Sequence, residues 1–120
     1  MLKRRWVLAS ASPRQRELLA LLGRPFEVLP ADIDETNHGD VPAEEFVRAL
    51  SRAKARAAAE RAAGGLVIAC DTIVVLDGRI LGKPASPAEA REMLMALRGR
   101  PHQVMTAVTV LDTAGGQERT

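Results

Sequence analysis

Residues 66–76 read LVIACDTIVVL, and Asp77-Gly78 and the short run Arg79–Leu81 follow at once. Leu66–Cys70 is a continuous apolar run, the pattern of a central strand buried on both faces. From Thr72 to Leu81 the pattern is that of a hairpin, because Asp-Gly between β-branched runs is the two-residue turn that suits the twist of paired strands. A sheet therefore lies at the centre of the fold, and the rest of the chain has to cover it.

The flanking segments alternate helix and strand. Arg5–Ala9 predicts a buried strand. Ser12 then offers an N-cap, Pro13 fits the first helical position, and Gln15 stands at capping-box distance. Leu18, Leu19 and Leu22 form a helical stripe that Gly23 ends. FEVLP (26–30) predicts a second strand, and ADIDETNHGD (31–40) an acidic loop. An Ala- and Arg-rich helix is expected over 42–63, closed by Gly64-Gly65. Ser86-Pro87-Ala88-Glu89 repeats the capping-box logic and starts a helix through Leu97, with Gly99 after it. QVMTAVTVL (103–111) predicts a last strand, and DTAGGQERT stops where a further strand would begin, so the chain reads as part of a longer fold. The expected class is α/β, one domain over residues 1–120, with a mixed sheet flanked by helices.

Aromatic residues make up 2% of the chain and tyrosine is absent, so the core has to be built from Leu, Val, Ile and Ala. A formal charge of +2, spread along the chain, points weakly to small anionic ligands. Nucleic acid is disfavoured by the shortage of aromatic residues for base stacking and the lack of a basic block. Cys70 is the only cysteine; it has no disulfide partner and no zinc-type spacing, which suits a reducing cytoplasm. WVLASAS is too short for a signal-peptide core, and no run is long enough to span a membrane.

Three groups of residues carry candidate chemistry. Ser10, Ser12 and Arg14 surround a helix start, where backbone N–H groups, two hydroxyls and a guanidinium would suit phosphate oxygens; plain capping with Arg14 on the surface is the alternative. Asp71 follows LVIAC at what reads as the carboxyl end of a central strand, where ligand crevices open, and a carboxylate there would serve as general base toward water; a turn aspartate bonded to Thr72 is the competing reading. Lys54 lies on the inward face of the long helix and Lys83 at a strand end, two cations for a polyphosphate, although an inner-face lysine commonly snorkels to solvent. Asp32, Asp34 and Glu35 would suit a hard divalent ion or form a solvated loop.

The motifs LASASPR, DIDE, RAKA, ACDTIVVLDGRILGKP and LRGRPHQVMTAV, in this order from about Val7 to Val110, resemble the Maf family of nucleoside triphosphate pyrophosphatases. The resemblance implies a fold of the Maf and inosine-triphosphate-pyrophosphatase type. It also implies cleavage of a nucleoside triphosphate to monophosphate and pyrophosphate with a divalent metal, magnesium or manganese. By the same resemblance Asp71 is the proton acceptor; Ser10, Ser12 and Arg14 are the phosphate turn; Lys54 and Lys83 are the cationic clamp; and Glu35 is a metal-side carboxylate. Arg14 after the motif proline and Thr72 after the aspartate resemble the dTTP/UTP branch, where the 7-methyl-GTP branch has tryptophan and glutamine. Gln15 departs from the family's second arginine. Family members continue with further strands and a Tyr-Gly-Ile-Gln-type motif, so a C-terminal portion is expected to be missing here. The competing functional expectation is a non-catalytic nucleotide-binding remnant. A cytoplasmic protein without membrane or nucleic-acid partners, pairing as a homodimer over an exposed sheet edge, completes the expectation.

Overall fold

The computed structural model describes residues 5–31, 33, 41–62, 64–81, 86–99 and 101–120. The elements run β1 (Trp6–Leu8), α1 (Pro13–Ala20), β2 (Glu27–Val28), α2 (Ala43–Arg61), β3 (Leu66–Leu76), β4 (Arg79–Leu81), α3 (Pro87–Leu97), β5 (Gln103–Asp112) and β6 (Gln117–Arg119). The sheet order is β2-β1-β3-β5-β6, with β4 also paired to β3. β1 is parallel to β2 and β3, whereas β5, β6 and β4 join antiparallel. The result is the expected mixed α/β sheet flanked by helices.

Helix α2 covers one face of the sheet and closes the core. Its buried residues Val47, Leu50, Ser51, Ala55 and Ala58 recur at helical spacing along one stripe. The stripe meets the sheet in two patches. Ala55 and Ala58 pack on Val7, Ala9, Val67 and Ala69, where small residues let helix and sheet approach closely. Val47 and Leu50 pack on Ile73, Val75 and Ala107. Odd-numbered β3 residues thus face α2. Between the patches the buried Ser51 and Thr109 hydroxyls pair at 2.6 Å, so neither polar group is left unpaired.

Several expectations are corrected. The two runs on either side of Asp71 form one eleven-residue strand, β3, because β5 pairs with it continuously from Leu66 to Val75. LVIAC is fully covered on the α2 face only: Val67 and Ala69 are buried, whereas Leu66, Ile68 and Cys70 are half-buried. The leucine stripe of α1 stays outside, with Leu18 58% and Leu22 65% exposed. After β5 the chain does form another strand, β6, held to α2 by two bonds from the Arg56 guanidinium to Glu118, of 2.9 and 2.7 Å. The hairpin, by contrast, is as expected: Asp77 and Gly78 take φ of 50° and 77°, the double left-handed turn that Asp-Gly permits.

Candidate functional site

The site follows from a mismatch in strand length. β1 pairs with β3 only from Leu66 to Ile68, and β4 pairs with the same strand only from Val74 onward. Between them, among the described residues, one edge of β3 has no strand beside it, and its backbone groups need other partners. The Ala9 N–H reaches the Ile68 carbonyl at 2.8 Å as the last link to β1. The Gln15 amide Nε2 donates to the Cys70 carbonyl at 3.5 Å. The Thr72 N–H is taken by Asp71 Oδ1 at 3.1 Å. A cavity of about 370 Å³ lies along this stretch, lined by Ser10, Ser12, Gln15, Lys54, Asp71 and Thr72 among others. Ligand crevices in α/β sheets form where strands part in this way. Asp71 therefore sits in the middle of its own strand, and the end that opens the crevice is that of β1.

The turn after β1 is built by its serines. Ser10 Oγ accepts the Ser12 N–H at 3.0 Å, and Ser12 Oγ accepts the Gln15 N–H at 3.4 Å as the cap of α1. Only half of a capping box forms, because the Gln15 side chain is committed to β3 and Ser10 has taken the Ser12 N–H. Both serines act through oxygen lone pairs, which leaves their O–H hydrogens to donate to a ligand. The start of α1 adds the positive end of its backbone dipole.

The same cavity holds an ion pair. Lys54 Nζ lies 3.2 Å from Asp71 Oδ1, with 15% and 11% of the side chains exposed. Lys54 continues the buried stripe of α2, and Asp71 projects from the β3 face between Ala69 and Ile73, so the pair fills the gap between the two apolar patches. Among the described residues, Asp71 Oδ2 and Gln15 Oε1 are buried without a hydrogen-bond partner. A buried acceptor in this state costs roughly 1–3 kcal/mol, so both oxygens invite a donor. Burial pushes the neighbouring Cys70 thiol up, against the pull of the Lys54 charge and with a smaller push from Asp71. The shift favours the thiol over the thiolate and so lowers its reactivity.

Of the residues proposed from sequence, the fold brings Ser10, Ser12, Lys54, Asp71 and Thr72 to one cavity. Arg14 does not line it; the side chain is exposed on the first turn of α1. Lys83, Glu35, Asp32 and Asp34 lie outside the described residues. Beyond its place at the cap, Gln15 bonds across 55 positions to Cys70, a contact that gives no local signal. Thr106, whose Oγ1 lies 2.9 Å from Thr72 Oγ1, carries no local signal either. Among the described residues no group of three His, Cys, Asp or Glu could hold a metal. The cavity wall offers one carboxylate, already paired with Lys54 through Oδ1, and by itself does not fit a hard divalent ion, which takes several oxygen ligands.

Among solved structures, a nucleoside-triphosphatase / dITP/XTP pyrophosphatase from Mycobacterium abscessus superposes with a TM-score of 0.51 at 18% identity, covering 96% of this chain and 68% of that one. This likeness is one of fold. A dTTP/UTP pyrophosphatase of Moorella thermoacetica is 53% identical over 112 residues, 93% of this chain and 58% of the relative. A 7-methyl-GTP pyrophosphatase of Alkalilimnicola ehrlichii is 47% identical over 113 residues, 94% of this chain and 57% of the relative. The chain thus spans somewhat more than half the length of these curated relatives. The family described as Maf-like protein matches residues 5–120, a span that holds the serine turn, the Lys54–Asp71 pair and the whole sheet. This chain belongs to the Maf family.

Proposed function

We propose that the chain carries the phosphate-binding and water-activating part of a nucleoside triphosphate pyrophosphatase that acts on dTTP and UTP. The observation that carries the reading is Lys54 Nζ at 3.2 Å from Asp71 Oδ1 in a cavity lined also by the serines of a helix start. Lys54 and the helix start would draw the phosphates in and offset the charge that develops on the leaving pyrophosphate. Held at Oδ1 by Lys54 and the Thr72 N–H, Asp71 keeps its unpartnered Oδ2 to take a proton from the water that attacks the α-phosphate. That oxygen adds to phosphorus, the bond to the bridging oxygen breaks, and pyrophosphate leaves. A divalent cation, magnesium or manganese, belongs to the proposal, with Glu35 among its holders; it would supply further neutralisation of phosphate charge.

The pyrimidine branch is supported by the name of the Moorella thermoacetica relative and by Thr72 after Asp71. The reading places the protein in the cytoplasm, where a lone thiol such as Cys70 stays reduced; among the described residues no helix is long and apolar enough to cross a membrane. The test is pyrophosphate release from dTTP, UTP, GTP and 7-methyl-GTP by the 120-residue chain with magnesium or manganese. Release from dTTP and UTP, lost in Asp71→Asn, is expected. Nucleotide binding with no release from any of the four would overturn the reading of turnover and leave a nucleotide-binding role.

A further inference from the structure

On the sheet face turned away from α2, β3 and β5 form a row of cross-strand pairs: Ile68 with Val110, Cys70 with Val108, Thr72 with Thr106, and Val74 with Val104. Three of these pairs are apolar or weakly polar. The hydroxyl pair interrupts the row at the point where β3 passes the cavity, and Thr72 is one of the cavity's own residues. The two Oγ1 atoms are 2.9 Å apart. Two hydroxyls at that distance share one hydrogen, which orients the O–H of the donor and occupies a lone pair of the acceptor, so the pair narrows the directions in which Thr72 can meet a ligand.

The cavity is divided in charge. The helix start with Ser10 and Ser12, and the Lys54 ammonium, suit an anion. Thr72 is uncharged and projects from the sheet face opposite to Asp71, as does its partner Thr106, which does not itself line the cavity. Neutral hydroxyls of narrowed direction discriminate by hydrogen-bond geometry and add little attraction for phosphate.

We infer that Thr106 is a positioning residue for substrate selection: through its hydroxyl it narrows the directions open to the Thr72 hydroxyl, which contacts the nucleoside part of the triphosphate. The inference rests on the proposed nucleotide site but not on turnover there. It assigns Thr106 no contact with the reacting atoms.

The test is isothermal titration of the 120-residue chain with two probes, thymidine 5′-(α,β-methylene)triphosphate and inorganic tripolyphosphate. The second has the charge but no nucleoside. Thr106→Val keeps the shape and removes the hydroxyl, so it should weaken the nucleotide by about fivefold, the worth of one neutral hydrogen bond, and leave tripolyphosphate unchanged. Thr106→Ser should restore the nucleotide affinity. Thr72→Val with Thr106→Val should bind the nucleotide no worse than Thr72→Val alone, because one hydroxyl acts through the other. A cross-strand threonine pair also supports a sheet; a purely structural role would lower both probes together, and that result overturns the inference. Unchanged nucleotide binding in Thr106→Val, additive losses in the double variant, or a wild-type chain that binds neither probe overturn it as well. Failure of the pyrophosphatase reading is seen separately, as nucleotide binding without pyrophosphate release.

Discussion

Lys54 and Asp71 form a nearly buried ion pair, and such pairs are worth more to function than to stability. Bringing two charges out of water costs about what their attraction returns, yet removing one partner leaves the other uncompensated. Lys54→Met should therefore lower the unfolding free energy by about 3 kcal/mol in urea titration, and adding Asp71→Asn to it should restore part of that loss. A double variant no more stable than Lys54→Met would show that the pair is not coupled. The same charges act on Cys70, whose thiol burial pushes up. Native protein should react slowly with iodoacetamide at neutral pH, and Lys54→Met should slow it further by removing the charge that favours the thiolate. Faster alkylation in that variant would contradict the contact. Lys54 was legible in the sequence because Val47, Leu50 and Lys54 share a helical face, and Ser12 because a cap is a local pattern. Gln15 and Thr106 were not, since their partners Cys70 and Thr72 are set by which strands lie side by side.

Elements meet in this fold where one chain segment has to pass close to another. At the entrance to β3, Gly65 has φ +102°, and a Cβ there would lie 2.5 Å from the Arg5 carbonyl oxygen. The same carbonyl accepts the Leu66 N–H at 2.7 Å, so the strands cannot move apart without losing their first link. Gly65→Ala should cost about 2 kcal/mol or more in chemical denaturation, as strain of this kind does; a neutral change would mean that the junction yields. At the other end of the chain, β6 is tied to α2 by Glu118 and Arg56. Hydrogen bonds from Arg56 hold the Glu118 carboxyl below its ordinary value, opposed by burial and aided by the charges of Arg56 and Arg52. A carboxyl depressed in the folded state stabilises the fold above its unfolded value, and the contribution is lost as pH falls through the folded one. Wild-type Tm should therefore drop on acidification below about pH 4.5, with a smaller drop in Glu118→Gln; equal slopes would remove this contact from the acid response. The hairpin and both serine caps were legible because they are short-range. The continuity of β3 was not, because a charged residue amid apolar ones reads as a strand end unless a partner strand is known to pass it.

At the scale of the whole molecule, the sheet has one face packed by α2 and another that stays partly bare. Val104 is 61% and Val108 50% exposed on β5, and Leu18 on α1, Leu22 in the turn after it, and Leu94 and Met95 on α3 are exposed. Periodicity made the two apolar faces of β3 legible, since alternation states how many faces shun water; it holds no information on what covers the second one. Scattered apolar side chains on a surface are ordinary, but a β-branched row on an open sheet is a place for association. The expected outcome is that this chain is not monomeric: sedimentation velocity over a dilution series should show mass rising with concentration. Because apolar contact would drive it, the association should persist in high salt, where charge contacts are screened, and weaken on cooling. Val104→Lys with Val108→Lys should return the monomer, since two desolvated ammonium groups would oppose the contact, and should leave the α2 face and the Lys54–Asp71 cavity as they are. A wild-type chain that stays monomeric throughout would show that the bare face is tolerated in water. Association that salt dissolves would place the contact on the charged surfaces instead.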